Sequence, residues 1–394
     1  MSVPENRPPI LLLVPISMLC TLVAVVFGRL SYGLVLPAMR ANLDMSYAQA
    51  ANLGTVTALG YLVLLLYAGV YAGRYGGKRA ILLGLSLASV GFVGLTLFSA
   101  YPLLLLCMTL LGFGTAFTFT PLVSLLGAWY PDKRGMVIGF AGSGVGIGIL
   151  LTGALVPMMT EDGNGEGWRL VWASFAVLGC FAVLMVALFL RNPPSNDAPV
   201  SMRSGLATVY RDPHVMRMGW IYGIVGITYI LQVLFMYSFA LEADVSAVTA
   251  GRLVAVMGFA SIFSGPGWGW VADRLGHARA LTFCMLVSMA ATLLPVLWPT
   301  TLSFAVHFVI IGLSVSGLFT SVLAAATATV KPQHAAMAVS FVTIFFASGQ
   351  LVGPALAGPL IDWWDDFRPI FAISAAMMLL GALASRNSAK LQRE

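Results

Sequence analysis

Twelve long apolar runs constrain this chain more than any other feature. They lie near residues 10–38, 47–71, 79–99, 102–129, 135–159, 169–190, 214–240, 246–271, 279–299, 301–329, 336–360 and 367–386. A helix needs about 20 apolar residues to cross the hydrocarbon of a bilayer. Lipid offers no partners to backbone N–H and C=O groups, so only helices and closed barrels span it. The runs lack the alternating polar pattern of barrel strands, which leaves helices. Hydrophobic residues make up 59% of the chain and charged residues 9%, against about one quarter charged in a soluble domain. That balance excludes a soluble enzyme, a secreted disulfide module and a nucleic-acid binder. Cys20, Cys107, Cys180 and Cys284 all fall inside apolar runs without metal-like spacing, so no disulfide framework is expected. The first run is too long for a removed signal peptide, has no clear small-residue cleavage site and contains Arg29.

The position of the cations gives the orientation. Of the 21 Lys and Arg residues, 16 lie in the tails or in the connections on the side of the two termini, and only Arg40, Arg169, Arg252 and Arg368 lie near helix ends on the other. Positive charge accumulates on the cytoplasmic side of membrane proteins, so both termini are expected in the cytoplasm. The net charge of +6 is then mostly a topological signal.

The second half of the chain echoes the first. Gly69-Val-Tyr-Ala-Gly73-Arg74-Tyr-Gly76-Gly-Lys-Arg79 follows the second run, and Gly269-Trp-Val-Ala-Asp273-Arg274-Leu-Gly276-His-Ala-Arg279 follows the eighth, 200 residues later without a gap. Pro131 to Met136 parallels Pro332 to Met337 at an offset of 201, and Trp168-Arg169 parallels Phe367-Arg368 at 199. Matched landmarks in order point to a duplicated six-helix unit. The expected fold is an all-α membrane protein with twelve transmembrane helices in two pseudo-symmetric six-helix bundles. Residues 1–190 form the first bundle, 191–212 a cytoplasmic linker, and 213–394 the second bundle with a short tail. Ser204 to Arg211 is either plain linker or a short surface helix.

The stretch Gly269 to Gly276 fits the pattern Gly-x-x-x-Asp-Arg-x-Gly, and through it the chain resembles the major facilitator superfamily over essentially its whole length. Phe27-Gly28-Arg29-Leu30-Ser31-Tyr32-Gly33 through Met39, followed by Ser46-Tyr47-Ala48-Gln49-Ala50, is similar to the YbfB/YjiJ-type branch. The resemblance implies a secondary transporter in the bacterial inner membrane, working by rocking-bundle alternating access around a central cavity. It also implies that the first, fourth, seventh and tenth helices line that cavity. This nominates Thr115 and Thr118, Tyr229 and Gln232, and His307 with Ser314; Gln350 of the eleventh helix joins them beside Gly349 and Gly353. Each of these is also a plausible helix-to-helix hydrogen-bond group. Phe259 to Ala272 resembles the same stretch of monocarboxylate and oxalate/formate-type carriers, which place a substrate-binding arginine where this chain has Gly265.

Arg29 stands out among the charges. A cation at the centre of a span costs about 2.5–3.5 kcal/mol on insertion scales and normally faces a polar cavity or a partner. All fifteen acidic residues fall in connections, tails or helix ends. Arg29 therefore either attracts an anion, for which its planar fork suits a carboxylate, or binds backbone carbonyls of a broken helix. Tyr32, one turn on, either shares that anion or packs between helices. His307 is the histidine well inside a span, and it is either a proton-coupling group or a structural one. The glycines of the fifth span, Gly139 to Gly148, indicate close helix packing.

The two halves differ at one place. Gly73 stands where the second half has Asp273, and Ala335 stands where the first half has Arg134. Asp273, in the Asp273-Arg274 loop, is expected to contact Arg134 or the free amides opening the fifth helix and so close the cytoplasmic side; the Gly73-Arg74 loop lacks that pair. The expected activity is transport of a small organic anion of the monocarboxylate type, with the lipid bilayer as surroundings, a monomer, and no cofactor indicated. Proton-driven efflux of amphipathic drugs is the alternative. A membrane enzyme finds no support, since the spans hold no paired carboxylates, metal cluster or nucleophile–base arrangement.

Overall fold

The structure is a computed structural model and describes residues 8–130, 134–161, 165–192, 212–327 and 335–391. The segment Ser204 to Arg211 lies outside these residues, and so do the side chains of Arg134 and Asp273. The described chain is helical: α1 (Ile10–Thr21), a π-helical stretch (Leu22–Leu30), α2 (Tyr32–Asn42), α3 (Tyr47–Tyr75), α4 (Gly77–Leu97), α5 (Tyr101–Trp129), α6 (Arg134–Thr160), α7 (Gly167–Phe189), α8 (Pro213–Glu242), α9 (Ala247–Leu275), α10 (His277–Leu297), α11 (Thr301–Thr327), α12 (Ala335–Trp364) and α13 (Arg368–Leu391). Among the described residues twelve spans are long and apolar enough to cross a membrane, the first running through α1 and the π stretch (Ile10–Leu30) and leading into α2. Leu11, Val177 and Leu302 are more than two-thirds exposed; hydrocarbon rather than water is the solvent that tolerates such a surface.

Local signals place the helix ends. Asp212 caps α8, accepting hydrogen bonds from the backbone N–H groups of His214 and Val215 at 2.8 and 3.3 Å, with Pro213 at the first helical position where its missing N–H is harmless. The signature turns close on Gly76 and Gly276, at φ of 92° and 82°, a region open to glycine at little cost. Asp44 and Asp244, just before α3 and α9, both adopt positive φ as well (50° and 60°). The offset of 200 thus runs through the backbone as well as the sequence.

The chain divides into two compact units, Met1–Met45 with Asn52–Pro199, and Ser46–Ala51 with Val200–Glu394. In the first unit α4 packs on α5 and α7, and the first span on α6; in the second, α10 packs on α11 and α13, and α8 on α12. These are the same pairings repeated. Gly112 of α5 lies so close to the Thr57 carbonyl of α3 that no Cβ fits between them, and Gly312 of α11 lies in the same way against the Met257 carbonyl of α9. Apolar burial gives little drive between helices already in lipid, so such small-residue contacts carry the packing.

Alanine at Gly112 or Gly312 is expected to destabilise the fold by about 1–3 kcal/mol through overpacking. Gly142→Ala, where a Cβ meets nothing within 4 Å, is expected to leave stability unchanged or raise it slightly. Thermal unfolding midpoints of the detergent-purified variants check both.

Candidate functional site

In the first unit the site is organised by the π-helical stretch. Ser31 N–H donates to the carbonyl of Val26 at 2.8 Å, an i to i−5 bond that closes the widened turn. Such turns are rare and concentrate at functional places. The Thr115 hydroxyl of α5 is shared between the carbonyls of Ala24 (2.6 Å) and Leu111 (3.0 Å). Thr115 is therefore a tie between α5 and the π stretch, and it is buried. Arg29 stands on the last turn of the stretch, half-buried. Its guanidinium carbon lies 4.4 Å from the centroid of the Tyr61 ring, a cation–π contact that stabilises a cation by about 0.5–2 kcal/mol. Tyr61 is held by α3, whose neighbouring turns pack on α5 through Thr57 with Gly112 and through Gly60 with the Thr109 carbonyl. Tyr32 and Thr118 are fully buried within the unit.

In the second unit two polar side chains converge on adjacent residues of α10. Gln232 of α8 donates from Nε2 to Thr292 Oγ1 at 3.0 Å, and Thr292 donates on to the Ser288 carbonyl at 2.8 Å. Gln232 Oε1 is buried with no hydrogen-bond partner among the described residues. His307 of α11 is 1% exposed, with Nδ1 2.9 Å from the Ala291 carbonyl. A carbonyl only accepts, so Nδ1 carries the proton and Nε2 is the basic nitrogen of the neutral ring. Ser314 and Gln350 are buried as well.

The second unit also holds an aromatic cluster. Tyr222 stacks on Phe346 at 4.6 Å, while Tyr229 and Phe346 both meet Phe319 edge-on, at 5.2 and 5.4 Å. Tyr222 is buried and the other three are half-buried. These rings come from α8, α11 and α12, the seventh, tenth and eleventh spans.

Of the residues nominated from sequence, the structure thus brings Gln232 and His307 onto one stretch of α10 and sets Tyr229 in the ring cluster. Thr115, Thr118 and Tyr32 lie in the packed interior of the first unit. Tyr61, Thr292, Phe319 and Phe346 escape sequence reasoning, because each owes its place to tertiary packing and none breaks the apolar pattern of its span. Gly73 and Arg74 are exposed at the end of α3, with the Arg74 guanidinium 5.5 Å from the Tyr75 ring; Arg274 is exposed at the end of α9. Among the described residues, every carboxylate lies at a helix end or in a connection.

The model of the family described as "Uncharacterised MFS-type transporter YbfB" matches residues 21–386. The chain is 27% identical over 365 residues to the uncharacterized transporter YycB of Bacillus subtilis, covering 89% of this chain and 87% of that one. It is 26% identical over 377 residues to monocarboxylate transporter 11 of Homo sapiens, covering 89% and 77%. Among solved structures, a mutant of the nucleoside transporter NupG superposes with a TM-score of 0.79 at 13% identity, covering 96% of this chain and 99% of that one; at that identity the likeness speaks to the fold alone. With the family pattern matched from the first span to the last, the chain belongs to the YbfB-type family of major facilitator superfamily transporters.

Proposed function

We propose that this transporter moves a small organic anion of the monocarboxylate kind by rocking-bundle alternating access, actively or facilitatively, and that Arg29 is the charge that binds it. Arg29 carries this reading. It stands twenty residues into the first span on a π-helical turn, where an ordinary apolar residue would be cheaper. The Tyr61 ring lies 4.4 Å from the guanidinium carbon, and the planar fork of an arginine suits bidentate capture of a carboxylate. The resemblance to proteins named monocarboxylate transporters supports the same substrate class. The charge asymmetry supports cytoplasmic termini, and a bacterial inner membrane is the residence that goes with this reading. The Gln232 and His307 node orients the substrate in this reading, and the Asp273 with Arg134 pair closes the cytoplasmic side.

Proton coupling then runs either through His307 or through the carboxyl group of the substrate itself. Efflux of amphipathic molecules is the second reading, and the half-buried rings of Tyr229, Phe319 and Phe346 favour it, because they offer apolar contact without demanding a charge.

Uptake of labelled monocarboxylates by purified protein in liposomes tests the proposal. Arg29→Ala is expected to lower uptake on the order of 10- to 100-fold, the worth of a charge-assisted hydrogen bond. Arg29→Lys is expected to recover only part of it, since a point charge lacks the fork. Uptake that survives Arg29→Ala removes the residue from the mechanism, and pH-driven export of amphipathic cations without acid uptake installs the second reading.

In the same liposomes Tyr61→Phe is expected to retain most uptake and Tyr61→Leu to lose about threefold or more, the worth of an exposed to partly desolvated cation–π contact. His307→Gln separates the coupling routes: stimulation by an imposed proton gradient disappears if the imidazole carries the proton and persists if the substrate does.

A further inference from the structure

The two units fill one repeated position differently. In the first unit Phe27 stacks on Phe175 at 3.9 Å, and Phe92 lies 5.9 Å from Phe175 and 6.0 Å from Trp172. Phe92 stands on α4, Trp172 and Phe175 stand on α7, and all four rings are buried. Among the described residues this stack leaves one buried polar atom without a hydrogen bond, the Trp172 indole nitrogen. Its N–H is a donor that an aromatic face can accept.

In the second unit the offset of 200 puts Thr292 of α10 in the place of Phe92, and the offset of 199 puts Ser374 of α13 in the place of Phe175. Both are fully buried. The helix register brings them level. The hydroxyls of Thr282 and Ser385 lie 2.6 Å apart between α10 and α13, which run antiparallel. Ser374 stands eleven residues before Ser385, about three turns back on the same face and within one residue of the height of Thr292.

Oxygen replaces the rings here. Gln232 of α8 donates from Nε2 to Thr292 Oγ1 at 3.0 Å, while its Oε1 is buried without a partner. The hydroxyls of Ser374 and of Ser288, one turn before Thr292, are also buried without a partner among the described residues. Helix α13 packs on both α10 and α8, so these groups converge where the three helices meet. The adjoining turn of α10 is opened by Pro295, which has no N–H to give the Ala291 carbonyl. His307 Nδ1 takes up that carbonyl instead, at 2.9 Å.

We propose that ordered water is bound inside the second unit at the junction of α8, α10 and α13, held by Gln232 Oε1 and the hydroxyls of Ser288, Thr292 and Ser374. Buried water settles where about two to four polar groups face a space of molecular size. Two rings have given way to hydroxyls, which supplies the space, and three of the four oxygens lack any other partner. The Gln232 oxygen only accepts, so a water donates to it, while the hydroxyls bond water in either direction. The second unit therefore has a wet interior where the first has a ring stack. That water lies beside the turn of α10 whose free carbonyl holds His307, and it offers protons an exchange partner that rings do not. The site lies within one unit and does not depend on which substrate is carried.

X-ray footprinting of the purified transporter tests the site. Radiolysis of a bound water oxidises the side chains around it even where bulk solvent does not reach. Phe371, one turn before Ser374, is as fully buried as Phe92 of the first unit. Phe371 is expected to be oxidised on the order of tenfold faster than Phe92, the contrast between a hydrated and a dry position. Thr292→Val combined with Ser374→Val is expected to bring Phe371 down to the rate of Phe92 and to slow oxidation of the buried Cys284 and His307. Ser374→Ala serves if the double variant does not fold, and is expected to slow Phe371 about twofold or more by removing one water partner. Equal rates at Phe371 and Phe92 in the unaltered protein overturn the proposal. A fast Phe371 rate that these variants leave unchanged overturns it too, by showing that the water lies elsewhere.

Discussion

Inside hydrocarbon an apolar side chain gains little by exchanging lipid neighbours for protein ones, so helices in a bilayer are held by how closely their backbones approach. In each unit that approach is made at a glycine facing a carbonyl. Gly112 meets Thr57 and Gly312 meets Met257, the second pair standing 200 residues after the first. The second helix of each half is set against the fourth, and the first of these junctions fixes the depth at which Tyr61 lies under Arg29.

The fold was legible because lipid imposes strict rules on composition. Span edges such as 102–129 and 214–240 fall within a residue or two of α5 (Tyr101–Trp129) and α8 (Pro213–Glu242). The first span is the exception. A run of uniformly apolar residues from Leu22 to Val26 carries no mark of its i to i−5 bonding, since hydrophobicity has no phase where every face is apolar. Arg29 was legible because a charge among apolar residues is conspicuous. Its ring partner was not, because a tyrosine such as Tyr61 is as much at home in lipid-facing or packed positions. The polar residues of the fourth span illustrate the reverse difficulty. Thr115 reads as a ligand group by its place in the sequence, yet its hydroxyl is occupied by the Ala24 carbonyl that the widened helix exposes.

The duplication explains how one sequence pattern yields two units with different duties. Asp44 and Asp244 retain the same unusual backbone conformation, and Ser46 and Ser246 each bond their own helix start. The halves have diverged in the side chains laid over this shared backbone. The first keeps a cation in its first span. The second keeps a glutamine–histidine node. A duplicated scaffold leaves such specialisation free, because the contacts that hold each half together lie elsewhere.

The π-helical stretch has a consequence for how this lineage can vary. A widened turn holds one residue more than a plain helix would, so it acts as a phase shift between α1 and α2. Losing one residue together with the widened turn would keep the phase across it, whereas rewinding the segment as ordinary α-helix at the same length would rotate one half of the span by about 100° relative to the other. Arg29 and Tyr32 would then leave the faces they now occupy, although every side chain in the span remained the same. Winding, as much as composition, sets the azimuth this span presents, and a chain one residue shorter between Leu22 and Leu30 could present the same faces with an ordinary helix.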